Sequence, residues 1–476
     1  MDNIQRVLKN FISLAGAEFI ARILGVSLSL YTARVLGVNA FGQLAFATAF
    51  ISFFNIFSDF GLTTLGIKNI AKNTDEVRTI GSNIFVIQSL ASTALVILLV
   101  AIVLFIPIST FLKIIVIIFG VGMIPTAFDM SYIFQAYETM HYISIARILS
   151  QIGYFLMGVI LIILLHNVIA IPIASTISLF IGAWIAYYIL KKKGLFSFEK
   201  VNWQTMKQLT IAAMPFLIGS ILVGIYHNLD SVLLQFMKNS VQVGYYNAGY
   251  SVVNLIMVFT VFVANVFFPL LAKTFSTQLN EFSSHSLNLA KSMGFICIPL
   301  TFGGLVYAKQ LISALYGSGF DPGADAFKIL LFLIILISFN VVISNIIIAA
   351  ELQNQNTISI AIGAVINLIL NSILIPKYGI SGAAVATICA ESVVCLYLMI
   401  LYSQKLHNIF SVISSFLFKP LIASLGMDLI LVGFHIQNVF LGIVVGAIVY
   451  IGISYVTNNL PLGLIQSYFV NKKDVQ

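Results

Sequence analysis

Long apolar runs recur from residue 11 to residue 456, separated only by short polar clusters. A helix needs about 20 predominantly apolar residues to cross a bilayer. On that criterion the chain predicts spans at roughly 11–34, 41–66, 83–106, 112–135, 144–165 and 169–190. A polar break, KKKGLFSFEKVNWQTMK, follows, and then come spans at roughly 208–236, 244–272, 292–315, 325–350, 357–375 and 380–403. A last pair covers roughly 413–435 and 438–456. The pattern is that of an all-α integral membrane protein with about fourteen transmembrane helices. It divides into a six-helix lobe at 1–190, a linker at 191–207, a second six-helix lobe at 208–403, and two extra helices with a tail at 404–476.

Composition makes a water-soluble alternative untenable. Hydrophobic residues are 60% of the 476 positions and charged ones 8%, against about 25% charged in soluble domains. The N-terminal run continues past Arg34 and contains Glu18 and Arg22, too long and too polar for the apolar core of a signal peptide, so it is read as uncleaved. The net charge of +8 is scattered through the short connections. It forms no basic stripe with interleaved aromatics, so nucleic acid is not an expected partner. Cys297, Cys389 and Cys395 form no C-x-x-C pair, and neither a disulfide framework nor a metal site is expected.

Cytoplasmic connections are enriched in Lys and Arg. With the N-terminus inside, that side collects Arg6, Lys9, Lys68, Lys72, Arg78, Arg147, Lys191, Lys192, Lys193, Lys200, Lys207, Lys273, Lys291, Lys405, Lys419, Lys472 and Lys473. The outer side has Arg34, Lys113, Lys238, Lys309, Lys328 and Lys377. Both termini are then expected in the cytoplasm, as in a multi-pass protein of the cell membrane. The two sets of six helices also resemble each other. GVNAFGQLAFATAF (37–50) matches VQVGYYNAGYSVVN (241–254) with Gly42 on Gly244, and Ser175 pairs with Thr387 at a slightly different offset. Such a repeat is parallel, about an axis along the membrane normal, and two facing lobes around a cavity follow as the expectation.

Polar side chains inside spans are costly and normally face a partner or a wet cavity. Glu18, Arg22, Gly25 and Ser29 fall on one helical face, as do Thr48, Ser52, Asn55 and Asp59 on the next span. In the second lobe Ser359, Gly363, Asn367 and Asn371 step by four, and Asn340 with Ser344 do likewise. Two readings of Glu18 and Arg22 stand side by side: a self-neutralising i,i+4 pair, or a pair in which Arg22 is a handle for a phosphate-bearing ligand, since guanidinium matches phosphate oxygens in a fork. Arg147 lies nearer a mouth of the expected cavity. His227 and Asp230, three apart, and mid-helix Glu391 fit a proton-coupling site or, equally, interhelical hydrogen bonds. The Asn and Ser seams are packing glue unless a cavity opens onto them.

No enzyme is expected. G-x-x-x-x-G-K-[ST], H-E-x-x-H, G-x-S-x-G and D-x-D are all absent, and the connection around YGSGFDPGAD (316–325) is too short to house an extramembrane active site.

Four stretches carry a family resemblance. They are ARVLGVNAFG (33–42) after Arg22, SDFGLTTLGIKNIAK (58–72), FQAYETMHYISIAR (134–147) and NLILNSILIPKYGISGAAVATI (367–388), the last being the most specific. They resemble the polysaccharide repeat-unit flippases, the Wzx-like, O-antigen-type branch of the multidrug/oligosaccharidyl-lipid/polysaccharide (MOP) exporter superfamily. The resemblance implies a MATE-like fold of two pseudo-symmetric six-helix bundles, often with two extra C-terminal helices. It implies alternating access for a polyprenyl-pyrophosphate-linked oligosaccharide moved from the cytoplasmic to the outer leaflet. It further implies membrane lipids and other polysaccharide-assembly proteins as partners, no cofactor, and H+ or Na+ as the coupling ion. On that basis Arg22, Arg147, Asn340, Asn367 and Asn371 are the substrate-binding candidates, and Glu18, Asp59, His227, Asp230 and Glu391 the ion-coupling ones. A peptidoglycan lipid-precursor flippase and a multidrug or cation antiporter of the same superfamily are the nearest alternatives. A membrane polymerase or ligase is the alternative from another class.

Overall fold

The computed structural model describes residues 3–460 apart from 276, 407, 408 and 459, with side chains from Gly16 onward. The side chains of Arg6 and Lys9, and the tail with Lys472 and Lys473, lie outside the described residues. Among the described residues every regular element is helical. Eleven helical stretches are long and apolar enough to cross a bilayer. Two of these, 16–72 and 353–405, are double, broken at Gly37 and Gly379. With the shorter apolar helix at 110–126, they give the fourteen or so expected spans.

The two breaks show how little chain a turn between membrane helices needs. Gly37 has φ 80° and ψ 179°, and Gly379 has φ 58° and ψ −130°. Both lie in regions essentially closed to residues bearing a Cβ. A single glycine therefore breaks the helix where the sequence pattern predicts short loops.

The chain forms two compact units, residues 1–235 and 236–476. In the first, α1 (Asn3–Asp59) is followed by α2 (Leu62–Lys72), α3 (Val77–Phe105), α4 (Thr110–Val121), α5 (Met123–Thr126) and α6 (Ser131–Ala136). Then come α7 (Met140–Leu165), α8 (Ala170–Lys192) and α9 (Trp203–Met237). α1 packs on α7, and α7 on α8. The α1–α7 contact is close because Gly158 leaves room for Leu28: a Cβ there would lie 2.7 Å from Leu28 Cδ2.

The predicted span 41–66 is interrupted. α1 stops at Asp59, Phe60 and Gly61 take positive φ (54° and 75°), and α2 starts afresh. Packing explains the stop. A Cβ on Gly61 would lie 2.7 Å from Phe216 Cβ and 3.0 Å from the Ala213 carbonyl of α9. The predicted span 112–135 is likewise divided, into α4, α5 and α6. A core of Leu62, Ile70, Ile84, Tyr132, Ile133, Phe134 and Ala213 binds α2, α3, α6 and α9 together.

The connection 194–202 between α8 and α9 is strapped to α3. Phe196 is buried against Gly81, Ser82 Oγ accepts from Glu199 N at 2.9 Å, and Asn83 Oδ1 accepts from Asn202 N at 3.0 Å. Thr79 Oγ1 donates to Glu199 Oε2 at 2.7 Å.

The second unit contains α10 (Ser240–Phe275), α11 (Leu279–Val306), α12 (Ala308–Tyr316), α13 (Ala324–Ala349), α14 (Gln353–Lys405), α15 (Ile409–Gly433) and α16 (Val439–Val456). α13 is its hub, packed on α10, α11 and α14, while α15 lies along α11 and carries α16. Gly294 permits the tightest approach, with the Phe416 backbone of α15 where a Cβ would stand. In the outer-facing half of this unit, on the expected orientation, α10, α11, α13, α15 and α16 line a half-open apolar pocket of about 460 Å³, with Phe295, Gly303, Met427 and Gly446 among its walls.

Candidate functional site

The polar face of α1 meets α7. Glu18 lies one turn before Arg22, and its Oε1 accepts from Arg22 Nε at 2.9 Å. Its other oxygen pairs with Arg147 Nη1 of α7 at 2.8 Å. The expected i,i+4 pair is therefore real, but it is one arm of a three-residue cluster. One carboxylate shared by two guanidiniums leaves the group with a net positive charge. Arg22 engages through Nε and Arg147 through Nη1, and both arginine side chains are about half exposed, 50% and 51%, against 30% for Glu18. Glu18 thus ties the two guanidiniums together while about half of each arginine side chain stays exposed. Such a fixed pair suits a phosphate or pyrophosphate, whose oxygens accept bidentate N–H bonds. One turn beyond Arg147, Gln151 reaches toward Gly25 of α1, where a Cβ would lie 3.3 Å from its Nε2.

The second seam has a different character. Thr48 and Ser52 return their hydroxyls to carbonyls of their own helix, at Leu44, Ala45 and Ala49. Asp59 caps α2: its carboxylate accepts from the Gly61 amide at 3.1 Å and the Thr63 amide at 3.3 Å, and also takes the Thr63 hydroxyl. Gln88 of α3 donates to the same carboxylate at 3.1 Å. An acidic group at a helix N-terminus is held by otherwise unpaired amides and by the helix dipole. His227 lies edge-on to Tyr226, with ring centroids 5.5 Å apart, and Asp230, one turn on, is 4% exposed.

In the second unit Asn367 and Asn371 are fully buried, and Asn371 Nδ2 donates to Asn367 Oδ1 at 2.9 Å. Asn340 and Glu391, which sequence spacing leaves unrelated, are brought together. Asn340 Nδ2 donates to Glu391 Oε2 at 2.7 Å and to the Glu391 carbonyl at 3.2 Å. Among the described residues no cluster of three or more His, Cys, Asp or Glu side chains has the arrangement of a metal site.

The sequence also matches known proteins. The family model described as "Polysaccharide biosynthesis protein" matches residues 7–275, and that described as "Lipid II flippase MurJ" matches residues 200–465. An uncharacterized membrane protein of Methanocaldococcus jannaschii is 28% identical over 363 residues, 72% of this chain and 69% of that one. The protein named "Probable low-salt glycan biosynthesis flippase" of Haloferax volcanii is 27% identical over 266 residues, 53% of this chain and 55% of its own. The solved structure of a lipid II flippase in an inward closed conformation superposes with a TM-score of 0.78 over 94% of this chain and 98% of the other, at 20% identity. At that identity the likeness is one of fold.

Proposed function

Because this chain belongs to the polysaccharide biosynthesis protein family and is a flippase of the MOP exporter superfamily, we propose that it moves a polyprenyl-pyrophosphate-linked oligosaccharide repeat unit from the cytoplasmic to the outer leaflet. The sugars and the pyrophosphate are the parts that hydrocarbon rejects, whereas the polyprenyl chain never has to leave it. A flippase must therefore offer the head group compensating contacts within the membrane, and chiefly for its charge.

One observation carries this reading: Arg22 and Arg147, on neighbouring apolar helices, share the Glu18 carboxylate while their side chains remain about half exposed. In the proposed cycle the two guanidiniums take the pyrophosphate, and Glu18 keeps them apart and prevents them from binding it irreversibly. Coupling to an H+ or Na+ gradient falls to the acidic groups in the spans. Glu18, Asp230 and Glu391 are the stronger candidates, because the Asp59 carboxylate is already engaged in capping α2 and His227 lies against Tyr226. Other polysaccharide-assembly proteins are the proposed partners.

The test is complementation of a flippase-null strain with Arg22→Ala, Arg147→Ala and the double variant, at matched protein level. Each single change is expected to lower surface glycan by roughly tenfold, the equivalent of one charge-assisted hydrogen-bonded contact. The lipid-linked repeat unit should accumulate in the inner leaflet. Normal export by the double variant would refute the assignment. A second reading, transport of a peptidoglycan lipid precursor, is favoured by the match of residues 200–465 to the MurJ model. The same experiment separates the two, since a peptidoglycan precursor would accumulate instead.

A further inference from the structure

The contact between α13 and α14 contains a buried acid with a two-faced partner. Asn340 is 6% exposed and Glu391 5%. The amide nitrogen of Asn340 serves two oxygens of the same residue, Oε2 and the main-chain carbonyl of Glu391. Its own Oδ1, equally buried, has no hydrogen-bond partner. A buried amide oxygen left unpaired is costly and uncommon, and an acid inside a membrane span is uncommon too. Their coincidence within one contact has a simple chemical account.

We infer that Asn340 and Glu391 form a proton-binding site in the second unit, in which rotation of the Asn340 amide records whether Glu391 is protonated. With Glu391 ionised, Oε2 requires a donor, and Nδ2 faces it as observed. A proton taken up from water binds Oε2 and makes it a donor; no other bond forms or breaks. The amide then turns over, because an N–H directed at an O–H hydrogen is repelled. Oδ1 gains the partner it lacks, and Nδ2 moves to the opposite edge. The turn also withdraws the donor from the Glu391 carbonyl, so the protonated state holds α13 and α14 less tightly at this level. Twelve residues earlier in α14 lies the break at Gly379, where the helix already changes direction and can absorb such a loosening.

Titratable neighbours include Cys395, buried one turn further along α14, and Tyr246 of α10, whose hydroxyl meets that of Thr387 at 3.4 Å one turn before. From α13, Asn340 faces Glu391. The charged residues of that helix, Asp325 and Lys328, are at its far end, about 18 Å or more along the axis at 1.5 Å per residue. This inference rests on the flippase reading only for what the proton drives, not for its binding.

The test is infrared difference spectroscopy of the whole protein in liposomes, free of any lipid-linked glycan, between acidic and alkaline pH and at fixed pH with and without sodium. A protonated-carboxyl carbonyl band is expected that is lost in Glu391→Gln and moves to higher frequency in Asn340→Leu, where the acid loses its acceptor. Glu391→Asp keeps a titrating band of altered frequency and covers the case in which Glu391→Gln does not fold. A spectrum identical in all variants, or a band that answers to sodium at constant pH, overturns the inference. Failed export by the arginine variants leaves this band intact, so the two readings fail separately.

Discussion

At the residue scale, the cluster around Glu18 shows why a carboxylate is useful next to two cations that are meant to bind an anion. Without it, the arginines would repel each other and lose their fixed geometry. With two carboxylates the charge would cancel. Glu18→Gln is therefore expected to weaken the hold on both guanidiniums while raising the net charge of the cluster. Head-group binding, measured with inorganic pyrophosphate, should tighten, and export should slow as release becomes limiting. Arg147→Lys is expected to restore less than half of the export lost in Arg147→Ala, because an ammonium is a point charge and cannot grip phosphate as a fork. Equal rescue would show that charge alone is at work there.

At the element scale, glycines set where helices turn and how closely they approach. Gly379→Ala forces a side chain into a backbone conformation with positive φ and places its Cβ 3.1 Å from Gln242 Oε1. A cost of about 1–3 kcal/mol is expected, read as a lower thermal midpoint of the purified protein. Gly219→Ala, on a helix with nothing within 4 Å of the added carbon, should leave that midpoint unchanged or raised. The strap at 194–202 makes a parallel case. Asn83→Ala removes the acceptor for the Asn202 amide, with an expected cost of about 1 kcal/mol and earlier proteolysis between α8 and α9.

At the scale of the whole molecule, the uneven distribution of Lys and Arg predicts the orientation. In a background with Cys297, Cys389 and Cys395 replaced, Gly194→Cys is expected to react with an impermeant thiol reagent only in inverted vesicles. Gly319→Cys is expected to react only in intact cells. The reverse result would invert the direction of transport. The structure also assigns most of α9 to the first unit, through the packing of Ala213 and Phe216 against Gly61 and of Gly224 against Ile56. The helix that follows the expected linker thus belongs, for most of its length, to the same compact unit as the helices before it.

The sequence alone determined that the chain crosses a bilayer about fourteen times, because in hydrocarbon the only way to satisfy a backbone is locally, within each helix. Length and hydropathy of each run then suffice, as for α13, whose bounds lie within a residue of the expected 325–350. The sequence also singled out the rare polar side chains, since each is expensive where it stands. It could not say which of them meet. Arg147 reaches Glu18 from another helix, and Asn340 reaches Glu391 across 51 positions. It did not foresee the stop at Asp59, where α9 comes up against Gly61. Those outcomes depend on which helix faces are pressed together, and in a membrane that is decided by close packing at small residues and by polar contacts, neither of which leaves a local signal in the chain.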